Sequence, residues 1–229
     1  MIDRRKSYYV VLDTETCKGI VTDDSLDLSQ SLVYDIGWQI IDKKGQIYAA
    51  HSFAIFETFC EMRDVMSSAY YAEKIPSYWD DIKNKKRTLV RLSTARKILI
   101  DEMKEYNIKA VMAHNASFDL RALNNTERYI TKSKYRFFFP YGTEIWDTLK
   151  MATDTICKQK SYIRFCESNN YMTKHRTPRP RATAEILYRY ISGNYEFAEE
   201  HQGLADVKIE SEIFVHCMRQ HKKMRKSLF

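Results

Sequence analysis

The chain has 229 residues, of which 44% are hydrophobic and 29% charged, and its net charge is +7. This composition is typical of a globular protein with one core, and no run approaches the ~18 apolar residues of a membrane span. The N-terminus has no apolar segment before a small-residue cleavage site, so we expect no secretory signal and a cytoplasmic location. The five cysteines form no Cys-x-x-Cys pair, which predicts reduced thiols rather than a disulfide framework.

The first part of the chain predicts a β-meander. Apolar, β-rich runs at 6–15, 32–42 and 46–56 are separated by turn-forming residues. Residues 57–72 and 91–106 then have the spacing of amphipathic helices.

The second part repeats a strand-then-helix arrangement. The short apolar runs 108–114 and 143–147 predict buried strands, each followed by a helical pattern. A meander followed by strand–helix units predicts an α/β fold with a mixed five-stranded sheet flanked by helices. We expect a single domain over residues 1–229, with a helical connection at 57–107 and a basic insert at 157–181. The helical patterns of this part cover residues 118–130, 148–156, 183–191 and 204–221.

Two carboxylates stand at the end of the first predicted strand. Asp13 and Glu15 are two residues apart, so in a strand their side chains point to the same face while Thr14 points to the other. A paired carboxylate on a central strand is poor for stability and suited to binding a metal. A simple turn leaving the strand is the alternative.

A third carboxylate, Asp119, follows the strand that ends at His114. It falls in the first turn of the next helix, at the carboxyl edge of the sheet, where open α/β sheets bind ligands. Asn115 and Phe118 beside it are candidates for contacts with a substrate base or sugar. A favourable interaction of Asp119 with the helix dipole is the alternative.

A fourth carboxylate and an imidazole lie near the C-terminus, in the segment HQGLAD. Gly203 loosens the chain between His201 and Asp206, and Asp206 falls in the first turn of a predicted helix. Asp147 is a further candidate, but Asp before Thr-Leu at a strand-to-helix junction favours a capping role. Four carboxylates that converge repel one another unless cations lie between them, so their convergence would predict a site for hard divalent metals.

The excess positive charge is concentrated in a few runs. In the insert, Tyr162, Phe165 and Tyr171 interleave with cations, as in proteins that bind single strands. A basic surface around an acidic site suits a polyanion, whereas a solvated cationic face is the alternative reading of any single run. The runs are residues 83–91, 132–136, 158–165, 174–181 and 219–226.

In chain order, DTET at 13–16, HNASFD at 114–119 and HQGLAD at 201–206 resemble the motifs of the DEDDh branch of DnaQ-like 3′–5′ exonucleases. The segments YDIGWQIIDKKG and TAEILYRY are also similar to those of bacteriophage-encoded members. The resemblance implies a ribonuclease H-like fold and two Mg²⁺ ions, with Mn²⁺ able to substitute. It implies that the four carboxylates bind the metals and that His201 is the general base. Thr14 and Thr16 join Asn115 and Phe118 as candidates for substrate binding.

The leading hypothesis is a 3′–5′ exonuclease acting on single-stranded DNA or frayed ends and releasing nucleoside 5′-monophosphates. An RNA-trimming or oligoribonucleotide-degrading enzyme keeps the chemistry and changes the substrate. A catalytically inactive nucleic-acid-binding module is the alternative from another class. Nucleic acid is the expected partner, together with a polymerase or replication protein and no membrane. The cytoplasm would be that of a host if the chain is phage-encoded.

Overall fold

Six strands form one sheet, in the order β4-β3-β2-β1-β5-β6. The computed structural model describes residues 2–17, 31–67, 69 and 72–229. Strands β1, β2 and β3 are antiparallel neighbours, whereas β5 runs parallel to β1, β6 to β5, and β4 to β3. The strands are β1 (Tyr8–Cys17), β2 (Leu32–Asp42), β3 (Ile47–Ile55), β4 (Thr88–Val90), β5 (Ala110–Ala113) and β6 (Ile145–Asp147).

Strand β1 lies in the middle of the sheet and is covered on both faces. Val10 and Leu12 pack into the core on one face, while Tyr9 and Val11 pack into the core on the other. Burial on both faces explains why this strand is a continuous apolar run rather than an alternating one. The run ends at Asp13, so the first polar side chains of β1 emerge at the carboxyl edge of the sheet.

Helices cover both faces, which confirms the predicted α/β architecture. Helices α4 and α5 contribute to the core on one face, and α6 to α9 contribute to the core on the other. Among the described residues, no helix has both the length and the apolar character needed to cross a bilayer. The helices are α1 (Phe56–Phe59), α2 (Arg63–Met66), α3 (Ile75–Lys83), α4 (Leu92–Glu105), α5 (Ala116–Thr131), α6 (Thr148–Thr155), α7 (Lys160–Ser168), α8 (Ala184–Ser192) and α9 (Gly203–Arg219).

The prediction of five strands was wrong by one strand. The sixth, β4, is only three residues long and follows a run of cations, so its sequence does not show the length or alternation of a strand. It lies inside the 57–107 connection, which is therefore not purely helical. The single helix expected at 57–72 is also broken, into α1 and α2, and residues 68, 70 and 71 of that prediction lie outside the described residues.

Two glycines set the position of α9 on the sheet. Gly37 lies opposite Asp13 in the β1–β2 ladder, and a Cβ atom at Gly37 would come within 2.2 Å of the Leu204 backbone nitrogen. A Cβ atom at Gly203 would lie 2.7 Å from the Gly37 backbone nitrogen and 3.2 Å from the Asp13 carbonyl oxygen. The start of α9 can therefore approach the Asp13 backbone closely because both contact positions lack side chains.

Replacing Gly203 with alanine is expected to move the start of α9 away from β1 and β2. Because the nearest atoms are backbone, the clash cannot be relieved by a side-chain rotation, and overpacking of this kind costs about 1–3 kcal/mol. We expect a lower melting temperature and weaker Mn²⁺ binding, measured by scanning calorimetry and titration calorimetry. Gly193→Ala is the matched control. Among the described residues, no atom lies within 4 Å of a Cβ atom added at Gly193, and the positive φ of this residue adds a local strain cost. Equal losses of metal affinity in both variants would contradict this account.

Candidate metal centre

The first two carboxylates emerge where β1 leaves the core. Asp13 and Glu15 both line one cavity of about 1110 Å³. The β1–β2 register shifts between Glu15 and Thr16, and such bulges occur next to active sites because they redirect side chains. Thr16 lies beyond this shift and is not among the described residues that line the cavity.

Asp119 reaches the same cavity from the first turn of α5 and is held there by Thr14. Its Oδ1 accepts hydrogen bonds from the Thr14 hydroxyl at 2.7 Å and from the Thr14 backbone N–H at 3.2 Å. Asn115, in the left-handed conformation with φ of 68°, makes the sharp turn from β5 into the helix. Thr14 therefore positions a carboxylate of the site as well as lining the cavity.

Asp147 has the capping role that its sequence favours. Its Oδ1 accepts hydrogen bonds from the Leu149 backbone N–H at the start of α6 and from the Asn115 backbone N–H. The carboxylate is thus used to join β6, α6 and the turn before α5. It does not line the cavity.

The C-terminal motif brings His201 and Asp206 to the carboxylates of β1. Ligand atoms of Glu15, His201 and Asp206 all lie within 4.8 Å of one another. Asp206 lies in the first turn of α9, and its Oδ1 is buried without a hydrogen-bond partner among the described residues. His201 adopts a φ of 50°, a conformation that costs a non-glycine residue roughly 1–2 kcal/mol.

The structure thus brings together the residues predicted from three distant parts of the sequence. All of them except Thr16 line one cavity. The predicted residues that line it are Asp13, Thr14, Glu15, Asn115, Phe118, Asp119, His201 and Asp206.

Besides Glu199, which also lines the cavity, sequence reasoning missed the carboxylate of Glu210. It lies one helical turn after Asp206 on α9, is 3% exposed, and has a buried Oε2 with no hydrogen-bond partner among the described residues. Residues four apart share one face of a helix, so the spacing of Asp206 and Glu210 is the signal that could have revealed it. A buried carboxylate without a partner is costly unless something else interacts with it.

Burial and mutual repulsion raise the pKa values of these groups. Burial, followed by repulsion from Glu210 and Asp119, places the pKa of Asp13 well above its usual range. Burial raises the pKa of Glu15 to about 8 and that of Asp206 to about 7. Burial also raises the pKa of Asp119 to about 7, despite its hydrogen bonds from Thr14.

Within the described residues, no lysine or arginine forms an ion pair with any of these five carboxylates. The charge of Lys74 offsets part of the rise in the pKa values of Glu15 and Asp206. Fully or partly buried carboxylate oxygens of this kind are the donor set that hard divalent cations prefer. The two unpartnered oxygens, on Asp206 and Glu210, supply free lone pairs at the cavity. The residues present therefore fit a divalent metal centre.

The raised pKa values predict how the metal-free protein responds to pH. A carboxyl group whose pKa is higher folded than unfolded binds more protons in the folded state, so stability falls as pH rises between the two pKa values. For Glu15 and Asp206, that window runs from about 4 to about 8. In EDTA, the melting temperature should fall across this range, and saturating Mg²⁺ should flatten the curve. A curve unaffected by Mg²⁺ would contradict a metal centre at these carboxylates.

Glu210→Gln is expected to stabilise the metal-free protein and to reduce the stabilisation that Mn²⁺ provides. The amide removes one of five repelling charges, and it also removes a ligand or electrostatic partner for bound cations. Differential scanning fluorimetry with EDTA or Mn²⁺ measures both effects. Glu212→Gln, at an exposed position of the same helix, is the matched control. An unchanged Mn²⁺-dependent shift in Glu210→Gln would remove Glu210 from the metal-binding set.

A basic arm, residues 172–183, forms another wall of the cavity. Met172 and Pro180 form a β-bridge, and the Thr173 backbone N–H donates a hydrogen bond to the Arg179 carbonyl at 2.8 Å, so the arm folds back on itself. His114 hydrogen-bonds to the Ala182 carbonyl at 2.7 Å, which ties the arm to β5. The cationic or polar side chains of the arm that line the cavity are Thr173, His175, Arg176, Thr177, Arg179, Arg181 and Thr183.

The aromatic residues of the basic insert do not form the stacking surface that their sequence suggested. Tyr162 is fully buried, and its hydroxyl donates to the Arg181 carbonyl at 2.6 Å. Phe165 and Tyr171 pack against the same core. The insert contains helix α7, whose apolar face is buried, so these rings support the arm from beneath while its arginines face the cavity.

A buried ion pair shows how the 57–107 connection serves the site. Asp35 of β2 pairs with Arg87, accepts a hydrogen bond from the Tyr78 hydroxyl at 2.7 Å, and accepts another from the Gly203 backbone N–H at 3.0 Å. Arg87 also donates to the Gln202 side chain at 3.1 Å. The connection therefore fixes the segment that carries His201.

Comparisons with known proteins identify the fold. No protein-family model matches the chain, and no curated protein matches its sequence. The structure is similar to the nuclease domain of 3′hExo, described as a DEDDh family member bound to rAMP, with a TM-score of 0.60, 11% identity, and 98% of each chain covered.

Two further solved structures have similar folds. The cell-death related nuclease CRN-4 has a TM-score of 0.55 and 10% identity, with 96% of this chain and 67% of that chain covered. Pop2p from S. pombe, in a form with Mg²⁺ and Mn²⁺ bound, has a TM-score of 0.51 and 13% identity, with 95% and 84% covered. The α/β sheet and its flanking helices therefore have the fold of the DEDDh exonucleases, as the sequence motifs predicted.

Proposed function

We propose that this protein is a metal-dependent 3′–5′ exonuclease that hydrolyses the terminal phosphodiester bonds of single-stranded nucleic acid and releases nucleoside 5′-monophosphates. Single-stranded DNA is the leading candidate for the substrate. The observation that carries the proposal is the convergence of six carboxylates and His201 in one cavity that is also lined by arginines. The fold similarity to 3′hExo bound to rAMP supports a nucleic-acid substrate.

Asp13, Glu15, Asp119 and Asp206 would hold two Mg²⁺ ions, with Mn²⁺ able to substitute, and Glu210 would support them. When bound, such ions stabilise charge on the attacking and leaving oxygens of a phosphoryl group. The S. pombe structure with Mg²⁺ and Mn²⁺ is consistent with this choice of metals. Thr14 keeps Asp119 directed into the cavity through its two hydrogen bonds.

His201 would accept the proton of the attacking water. Burial, followed by the nearby charge of Lys74, lowers the pKa of its imidazole below the usual 6.5, so the ring is neutral at pH 7. A neutral imidazole can accept a proton, so it is a suitable general base. The Glu199 carboxylate, 4.0 Å from Nδ1, is placed to stabilise the imidazolium that forms.

The basic arm would bind the phosphates of the substrate strand. Arg176, Arg179 and Arg181 line the same cavity as the carboxylates, so a polyanion can approach an otherwise repulsive site. Asn115 and Phe118 lie beside Asp119 and would contact the terminal nucleotide. Thr16 does not line the cavity, so its predicted contact with substrate would be to a part of the strand outside the cavity.

The runner-up is an exonuclease that trims RNA. The fold neighbours include a structure described as 3′-end specific recognition of histone mRNA stem-loop by 3′-exonuclease, which supports RNA as the second candidate substrate. An inactive binding module is disfavoured because all four predicted acids and His201 converge. A cytoplasmic location, a phage origin and a polymerase or replication partner stay predictions from the sequence.

The proposal is tested with 5′-labelled single-stranded DNA, RNA and duplex incubated with Mg²⁺ or Mn²⁺. A ladder that shortens from the 3′ end and that disappears in EDTA supports it. Thin-layer separation of the products should show nucleoside 5′-monophosphates. Products shortened from the 5′ end, or no degradation of any substrate, would overturn it.

A further inference from the structure

Exposed aromatic side chains cluster in the sequence from the last turn of α5 to the segment before β6. Tyr129, Tyr135, Phe137 and Tyr141 are 37%, 78%, 55% and 108% exposed, and they are half of the large hydrophobic residues exposed in the described part of the chain. Single exposed apolar residues are ordinary, but a cluster marks an interaction surface. We call these four residues the aromatic surface.

The aromatic surface is interleaved with cations. Lys132 lies 4.0 Å from the Tyr129 ring centre, Arg128 lies 4.8 Å from that of Phe137, and Lys134 lies 5.2 Å from that of Tyr135. No acidic residue occurs in the sequence between 128 and 143. A ligand that satisfies both features carries negative charge and flat rings, which is the chemistry of single-stranded nucleic acid.

The surface is held by the core rather than by its own residues. Phe138 is fully buried, its backbone N–H donates to the Asn124 side chain at 2.9 Å, and its carbonyl accepts from Arg96 at 2.5 Å. The Arg128 guanidinium donates to the Arg136 carbonyl at 3.1 Å. An ordered surface loses little conformational entropy on binding.

Helix α5 connects the aromatic surface to the candidate metal centre. Its first turn holds Asp119, the cations Arg121 and Arg128 lie seven residues apart on another face of the helix, and Lys132 follows at the C-cap. At 1.5 Å per residue, Asp119 and Lys132 are separated by roughly 20 Å along the axis. That length corresponds to about six stacked nucleotides at ~3.4 Å each.

We infer that the aromatic surface and the cationic face of α5 bind the part of a single strand that lies 5′ of the end held in the cavity. This inference rests on the proposed function for the identity of the strand. The consequence is a length preference, because a strand shorter than about six nucleotides cannot occupy both regions at once.

The test measures the binding of 5′-labelled oligothymidylates of 4 and 15 nucleotides by fluorescence anisotropy in EDTA, where no metal-dependent cleavage occurs. Wild-type protein should bind the 15-mer much more tightly than the 4-mer. The double variant Tyr135→Ala/Phe137→Ala should bind the 15-mer at least about tenfold more weakly, because base–aromatic stacking contributes substantially per base. Lys134→Glu/Arg136→Glu should reduce the salt dependence of 15-mer affinity.

Two control variants match these changes elsewhere on the surface. Tyr195→Ala removes an aromatic ring that is 58% exposed, and Lys222→Glu/Lys223→Glu makes the same charge change near the C-terminus. Equal losses in test and control variants, or no loss in either, would overturn the inference. So would a test variant that changes only the oligomeric state, since the surface would then bind a second copy of the chain.

Failure of the proposed function is distinguishable from failure of this inference. If wild-type protein binds the 15-mer through the aromatic surface but degrades no substrate in Mg²⁺ or Mn²⁺, the nuclease proposal fails and this inference stands. If it degrades strands from the 3′ end but Tyr135→Ala/Phe137→Ala binds the 15-mer normally, the inference fails and the nuclease proposal stands.

Discussion

Asp13→Asn is expected to lower metal-dependent cleavage by at least about a thousandfold. Asp13 lies at the centre of the carboxylates, and four of them affect its pKa. Metal stabilisation of a phosphoryl group is worth several kcal/mol, and each 1.36 kcal/mol is a factor of ten in rate. Single-turnover cleavage of a labelled single strand in Mg²⁺ measures the loss.

Two observations separate a lost metal site from a lost fold. Removing one of several repelling carboxylates should leave the melting temperature of Asp13→Asn in EDTA equal to or above that of the wild type. Its Mn²⁺ affinity should fall sharply. Asp101→Asn, on the exposed face of α4, is the control and should behave as wild type. Full activity of Asp13→Asn would show that the metal centre is wrongly assigned.

His201→Ala is expected to reduce kcat by about 10² to 10⁴ with little change in substrate affinity. The histidine is half-buried beside Glu15 and Asp206, where it can reach a water bound among the carboxylates. Because the pKa of His201 is lowered by burial and by the charge of Lys74, the wild-type rate should rise with pH and level off once the imidazole is neutral. The variant should lose this rise.

The control for His201 is His221→Ala, at an exposed position near the C-terminus. Titration calorimetry with Mn²⁺ distinguishes a base from a ligand. A large loss of Mn²⁺ affinity in His201→Ala, with an unchanged pH profile, would assign the imidazole to the metal rather than to proton transfer.

The central carboxylates of the site could be predicted from the sequence because each one lies at the end of a strand or in the first turn of a helix, and such positions are visible in the local sequence pattern. The apolar run of β1 ends at Asp13 and Glu15, and strand-to-helix junctions place Asp119 and Asp147 at the same edge of the sheet. Their spacing within each element decides where they point. The architecture followed from the same periodicities, apart from the three-residue strand β4.

The supporting residues could not be predicted because their roles depend on contacts between distant segments. Arg87 is one of five basic residues in the segment 83–91, and only the fold shows that it is buried against Asp35. Glu210 reads as one more charge on a helix until α9 is placed against Asp13. The prediction for Tyr162 was wrong for the same reason. Its ring lies among cations in the sequence, which suggested an exposed stacking surface, but in the fold it is part of the core.

The most direct test of the metal centre is a crystal structure of the protein soaked with Mn²⁺ and measured at a wavelength where manganese scatters anomalously. We predict anomalous peaks in contact with Asp13 and among Glu15, Asp119 and Asp206, and no such peaks in Asp13→Asn crystals. Ordered Mn²⁺ elsewhere on the surface with none at these carboxylates would contradict the account.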